Sequence, residues 1–271
     1  MRNEIRCCDC VEGMSTLPNG SVDLTVTSPP YDDMRKYGGH RWDFHATARE
    51  LYRVTKDGGI VCWVIGEAVK GDSFTGTSSE QRLFFRDLGF KLLDWLFIES
   101  HIGYQHRRHA YQNAIQQVFV LSKGSPSYVN RIKDRENKSA GKLVRASRVH
   151  PDGRREDYQL PRVYGPTRVR SNVWPIIVGN NKNTKDEVAR GHPALMPEDL
   201  ARDLIVSYSR PGELVFDPFL GAGTTARIAI VNHRAYAGFE IHRPYYRKAL
   251  KRIELAESEL LEQLVGVDHA A

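Results

Sequence analysis

Two short stretches of this chain bring together residue types that could do chemistry. The first is Thr27-Ser28-Pro29-Pro30-Tyr31. Pro30 restricts Pro29, and both rings fix φ, so the backbone there is stiff and extended. Neither proline has an N–H, while both keep a carbonyl that only accepts hydrogen bonds. A rigid acceptor, the Ser28 hydroxyl and the Tyr31 ring together suit a flat ring that bears an amino group, such as a nucleobase. The plainer alternative is a strand followed by a proline-rich turn.

The second stretch is Gly221-Ala222-Gly223-Thr224-Thr225-Ala226, which matches the pattern G-x-G-x-x-G/A. Glycines there let the backbone pass close beneath a ligand, and a helix N-terminus offers unpaired N–H groups. Glu240 follows about 20 residues later, where a carboxylate at a strand end takes both hydroxyls of a ribose. The expectation is an adenosine-containing ligand. Asp217, just before the turn, would repel a pyrophosphate and welcome a cation, so S-adenosylmethionine, with its ammonium and sulfonium, fits the charge.

These residues need particular elements to hold them. The apolar run at residues 22–26 reads as a buried strand that delivers Ser28. A strand at 214–217, a helix after Thr225 and a strand at 236–240 frame the Gly turn. Further strands are expected near 4–10, 60–65, 92–98 and 118–121, and helices at 11–17, 44–54, 81–88, 197–208 and 244–264. Residues 32–41 and 72–79 read as polar loops. Alternating strands and helices predict an α/β sandwich around a mostly parallel sheet.

From 125 to 190 the alternation fails, and Pro, Gly and Arg recur with interleaved Tyr158, Tyr164 and Trp174. A loop-rich insertion is expected, with Arg154, Arg155, Arg168 and Arg170 as contacts for phosphate and bases. The chain would then divide into a catalytic part at 1–124, a recognition insertion at 125–190 and a cofactor part of the same domain at 191–271. Charge agrees. Residues 101–190 hold 18 Lys and Arg against 7 Asp and Glu, within a net charge of +6 for all 271 residues. A basic middle in an acidic frame points to a polyanion partner.

Other classes are disfavoured. No run of about 18 or more apolar residues is present, and the start is no secretory signal, so a cytoplasmic protein is expected. Cys7, Cys8 and Cys10 crowd too closely for a zinc ribbon, and no second Cys/His pair follows. With Cys62 they read as reduced structural thiols, and no metal site is expected.

Asp217-Pro218-Phe219-Leu220-Gly221-Ala222-Gly223-Thr224-Thr225 resembles the cofactor motif of amino-group DNA methyltransferases, and Thr27-Ser28-Pro29-Pro30-Tyr31 resembles their catalytic motif. The order of catalytic motif, basic region and cofactor motif is similar to the permuted β class of that family. The resemblance runs from Cys8 to about Leu255. It implies a Rossmann-like fold that binds S-adenosylmethionine and releases S-adenosylhomocysteine. Asp9 matches an acidic cofactor position, and His192-Pro193-Ala194 with Pro197 matches the segment near the methionine end. Residues 125–190 match no recognition region of the family, so the resemblance does not give the DNA sequence that is read.

The reading that follows is methyl transfer to an exocyclic amino nitrogen of a base flipped out of duplex DNA. Tyr31 would stack on the base, while Ser28 and the Pro29 carbonyl bond its amino group. In the family, Ser before Pro-Pro-Tyr goes mostly with cytosine N4, and Asp or Asn with adenine N6, so cytosine is expected with adenine as the alternative. An RNA or protein-glutamine methyltransferase, for which Asn-Pro-Pro-Tyr serves, and a non-catalytic DNA-binding module are weaker alternatives. A cognate restriction endonuclease and a second copy of the chain are the other partners this reading allows.

Overall fold

The computed structural model describes residues 1–30, 42–99, 109–111, 113–144, 147–157, 162–176, 186–189 and 195–268. They separate into two compact units, one comprising Met1–Asn130 with Asn172–Ala271, the other Arg131–Ser171.

The larger unit is built on an eight-stranded sheet. Its strands, in chain order, are β1 (Glu4–Arg6), β2 (Val22–Thr27), β3 (Thr55–Ile65), β4 (Phe90–Glu99), β5 (Ile115–Lys123), β6 (Val173–Pro175), β7 (Leu214–Asp217) and β8 (Ala235–Phe239). Across the sheet they run β1-β8-β7-β2-β3-β5-β4-β6. Of these eight, only β5 is antiparallel to its neighbours. Val22, Leu24 and Val26 of β2 are buried, and so are Thr25 and Thr27 on its other face. Burial on both faces is what a central parallel strand requires, and it explains the unbroken apolar run of β3 from Ile60 to Ile65.

Among the described residues, six α-helices cover the sheet: α1 (Cys10–Ser15), α2 (Phe44–Val54), α3 (Thr77–Asp87), α4 (Glu198–Tyr208), α5 (Thr224–Val231) and α6 (Arg243–Asp268). α1, α2 and α3 pack in sequence, as do α4, α5 and α6. Asp9 caps α1, accepting from Val11 and Glu12 N–H, and Asp43 caps α2, accepting from Ala46 N–H. One core cluster joins Met14 and Leu51 to Trp63, Phe85, Phe216 and Phe239.

Chain order and sheet order part company between β2 and β7. From β2 the chain goes through α2 to β3 on one side, and from β7 through α5 to β8 on the other. Open α/β sheets bind ligands at the carboxyl ends of the strands beside such a switch point.

Two expectations change. The stretch 72–79 is not all loop: a two-residue hairpin pairs Val69–Lys70 with Ser73–Phe74, and α3 already begins at Thr77. The insertion at 125–190 is not an irregular loop either. Within it, Lys133–Glu136 pairs with Thr167–Val169, Leu143–Val144 with Arg162–Val163, and Ser147–Val149 with Arg155–Asp157, all antiparallel. The pairs nest into a ribbon whose tip is the turn at 150–154, closed by Gly153 N donating to His150 O at 2.9 Å. Sequence periodicity reports a buried face, and the described residues of this ribbon show none: Leu143, Val149 and Val163 are all exposed. At the insertion's far end, β6 joins the main sheet beside β4, and Trp174 lies in the core instead of among the exposed aromatics.

Candidate active site

Four adjacent parallel strands bring the expected residues to one edge of the sheet. In sheet order β1, β8, β7 and β2 lead at their carboxyl ends to Asp9, to Glu240, to the turn at 218–223, and to Ser28-Pro29-Pro30. Parallel pairing in register, with Phe216 opposite Thr25, makes the ends of β7 and β2 emerge side by side. Pro29 is buried there, and Ser28 and Pro30 are half-buried. Tyr31 lies outside the described residues, as do His192, Pro193, Ala194 and residues 32–41. Pro197 is the N-cap residue of α4.

Asp217 joins the two strand ends. It is 3% exposed. Its Oδ1 accepts from the Thr27 hydroxyl at 2.6 Å and from Phe219 N at 3.0 Å, and its Oδ2 accepts from the Thr225 hydroxyl at 2.7 Å. Burial pushes its carboxyl up to about 6, against the pull of these hydrogen bonds. The sequence suggested a carboxylate turned towards a cationic ligand. The structure instead uses Asp217 as a knot between the residue before Ser28 and the first turn of α5.

The Gly turn follows. Pro218 is buried and Phe219 half-buried, its ring edge-on to Trp42 at 5.3 Å and to Trp63 at 6.4 Å. Gly221 adopts φ +56°, and its N–H donates to Glu240 Oε2 at 2.7 Å. Gly223 caps α5 at φ +83°. A Cβ on Gly223 would lie 2.9 Å from the Ala249 Cβ and 3.0 Å from its Cα. The close approach this glycine permits is therefore that of α6, where the sequence suggested a ligand.

Glu240, 9% exposed, also accepts from His242 N at 2.7 Å through Oε1. Its own N–H donates to Arg6 O at 3.1 Å, which ties the end of β8 to β1. The half-buried Asp9 caps α1 through Oδ1, accepting from Val11 N at 2.8 Å and Glu12 N at 3.1 Å. Among the four cysteines there is no disulfide. Burial pushes the Cys10 thiol up to about 12 and raises that of Cys62, so both stay protonated.

The sequence did not reveal Arg252. This α6 side chain is fully buried. It donates to Ala222 O at 2.8 Å and to Thr224 Oγ1 at 3.1 Å, beneath the Gly turn. Its other nitrogens reach Asp186 Oδ2 at 2.6 Å and Glu198 Oε1 at 2.8 Å. A signal was present: Arg252 falls on the stripe of Ala249, Ile253 and Ala256 that α6 buries, where an arginine is out of place.

In the Arg131–Ser171 unit the four expected DNA contacts differ. Arg154 and Arg155 are exposed at the tip, with Arg154 Nε 4.0 Å from Asp152. Arg168 is exposed and sits directly across the ladder from Arg135. Arg170 is held by Asp134 at 2.5 Å with only 18% of its side chain exposed, and this pairing holds the Asp134 carboxyl below its usual range. Arg170 thus fastens the ribbon where its register shifts between Arg168 and Val169.

A parallel-rich α/β sheet, a Gly turn backed by a strand-end carboxylate, and a Ser-Pro-Pro segment beside it define a Rossmann-like methyltransferase. The family model described as DNA methylase, of the N6/N4 type, matches residues 22–251, and the chain belongs to that family of DNA methyltransferases. Orphan methyltransferase M.BamHII of Bacillus amyloliquefaciens is 43% identical over 237 residues, which cover 86% of this chain and 89% of the relative. DNA adenine methyltransferase YhdJ of Escherichia coli K12 is 26% identical over 279 residues, 96% of this chain and 85% of YhdJ. PvuII DNA methyltransferase, cytosine-N4-specific, superposes with a TM-score of 0.65 at 17% identity over 96% of this chain and 92% of its own. TTHA0409 of Thermus thermophilus, complexed with S-adenosyl-L-methionine, gives 0.63 at 20% identity over 93% of each chain.

Proposed function

We propose that this chain methylates the exocyclic N4 of cytosine in duplex DNA, with S-adenosylmethionine as methyl donor. The observation that carries the reading is the Thr27–Asp217–Thr225 hydrogen-bond knot, which fixes Ser28-Pro29 against the cofactor turn. Held that way, an amino group at Ser28 and a ligand on the turn are oriented by one rigid piece of protein.

The residues present fit the cofactor. Glu240 is anchored by two backbone N–H groups at the end of β8, a suitable acceptor for ribose hydroxyls. The Arg252 charge under the turn is matched by Asp186 and Glu198, so the turn is no cationic cradle for a pyrophosphate. Bound there, S-adenosylmethionine supplies an electrophilic methyl group on a sulfonium.

The protein's part is orientation and charge. The Pro29 carbonyl accepts a hydrogen from the N4 amino group, which draws electron density onto nitrogen. The Ser28 hydroxyl donates to the ring nitrogen N3, a bond that an ionised Asp at this position cannot make. Tyr31 stacks on the flipped base, as the family resemblance implies. Adenine presents a similar amino group beside an acceptor nitrogen, and the likeness to YhdJ favours that second reading. Residues 125–190, with the ribbon at their centre, serve as the target-recognition region and contact the DNA backbone through exposed arginines.

The test is to treat duplex DNA with the protein and S-adenosylmethionine, digest it to nucleosides and analyse them by mass spectrometry. N4-methylcytosine is expected. N6-methyladenine without N4-methylcytosine would overturn the choice of base.

A further inference from the structure

Arg252 poses a problem for the function just proposed. It is a fully buried cation immediately beneath the turn that would carry a cationic cofactor. It also lies at the N-terminal end of α5, where the helix dipole already favours negative charge. Alone, it would repel the ligand the site is read to bind. Its position is nevertheless useful, because holding Ala222 O and Thr224 Oγ1 fixes the backbone of the turn from below.

Two carboxylates accompany it. Asp186, just ahead of a single 3-10 turn at Glu187–Ala189, reaches Arg252 Nε at 2.6 Å. Glu198, in the first turn of α4, reaches Nη2 at 2.8 Å and also lies 3.3 Å from Arg227 of α5. One carboxylate would satisfy the usual demand that a buried arginine be paired. The second is shared with Arg227, which also lies 3.9 Å from Glu259.

We infer that Asp186 and Glu198 are positioning residues for the cofactor. They cancel the Arg252 charge, so that Arg252 can brace the turn without opposing a positive ligand. This rests on the proposed S-adenosylmethionine site. It goes further by assigning cofactor charge selectivity to residues that do not themselves contact the ligand.

S-adenosylmethionine carries one positive charge more than S-adenosylhomocysteine, so comparing the two separates a charge effect from a shape effect. Asp186→Asn and Glu198→Gln remove one negative charge each and keep one acceptor oxygen, although in Asp186→Asn the amide cannot accept from both Val188 N and Arg252 Nε as the carboxylate does. Isothermal titration calorimetry on the full chain should show each variant losing about tenfold in affinity for S-adenosylmethionine, the size of a unit charge acting over roughly 10 Å through protein. Affinity for S-adenosylhomocysteine should change much less. Adding Arg252→Gln to Asp186→Asn should bring the ratio of the two affinities back towards that of the parent. Thermal melting of each variant establishes that it is folded.

Equal losses for both ligands would make the pair a purely structural brace and overturn the inference. Unchanged affinity in both single variants would overturn it as well. If the parent protein binds neither ligand, the proposed cofactor site itself fails and the inference falls with it. A parent that binds both ligands, with variants that do not discriminate, would sink the inference alone.

Discussion

The carboxyl edge of the main sheet and the ribbon at 131–171 handle charge in opposite ways. At the sheet edge Asp217, Glu240 and Arg252 are buried, and each is held by two or more hydrogen bonds, which for Asp217 and Arg252 include partners from distant parts of the chain. On the ribbon Arg154, Arg155 and Arg168 stand exposed, and the half-buried Arg135 faces Arg168 directly across the ladder. Like charges in opposed positions weaken a strand pair. The first arrangement spends its charges on geometry; the second leaves them for something anionic. On the proposed function, the buried charges hold the geometry around a small ligand and the exposed arginines meet a polyanion.

The largest effect should come from cutting the knot. Asp217→Ala takes the acceptor from the Thr27 hydroxyl and Phe219 N–H, leaves the Thr225 hydroxyl only its longer bond to Val26 O, and should lower stability by about 3 kcal/mol in urea denaturation. Asp217→Asn retains an acceptor for Thr27 and Phe219, and should fall within about 1 kcal/mol of the parent near pH 7. The variants differ in pH dependence. The Asp217 carboxyl sits at about 6 in the fold against an ordinary 3.8, so protonation favours the folded state. That contribution is complete below about pH 4 and is lost as pH rises through about 6. Asp217→Asn should remove this slope, and an unchanged slope would mean the carboxyl titrates normally.

Next in size is Gly223→Asp. The sequence alone suggested that glycine here makes room for a ligand, so a side chain would block the cofactor. With Ala249 only 2.9 Å from the new Cβ and φ at +83°, the variant should instead lose helix packing. A loss of about 2–3 kcal/mol is expected from strain and overpacking together. A parent-like melting temperature would show that α6 yields and that the turn has room after all.

The ribbon should respond in the reverse sense. Arg135→Ala with Arg168→Ala should leave stability unchanged or slightly raised. DNA affinity should fall in this double variant, and the slope of log K against log salt should shrink by about two phosphate contacts. Arg170→Ala should alter that slope little and loosen the ribbon, because Arg170 is committed to Asp134. Fluorescence anisotropy across a salt series reads all three variants. Equal slopes in the double variant and the parent would move the DNA face elsewhere.

The contrast also explains what was legible in the sequence. β2, β7 and β8 were readable because burial on both faces writes a short apolar run, and the Gly turn because its spacing is local. The ribbon was not, since two- to four-residue strands whose described residues show no buried face leave no period. The partners of the buried charges were also hidden. Thr27 and Asp217 lie 190 residues apart, and Arg252 is 66 residues from Asp186 and 54 from Glu198. Such pairs exist only once the sheet has brought the ends of its strands together.

The most direct test of the whole account is Ser28→Ala, with methyl transfer and cofactor binding measured on the same preparation. The knot runs through Thr27, so cofactor binding should survive, with affinity for S-adenosylmethionine within about twofold of the parent. Transfer to DNA should drop by about a hundredfold, as when one oriented hydrogen-bonding group is removed from a transition state. Loss of both together, or transfer at the parent's rate, would contradict the division of labour between the end of β2 and the turn after β7.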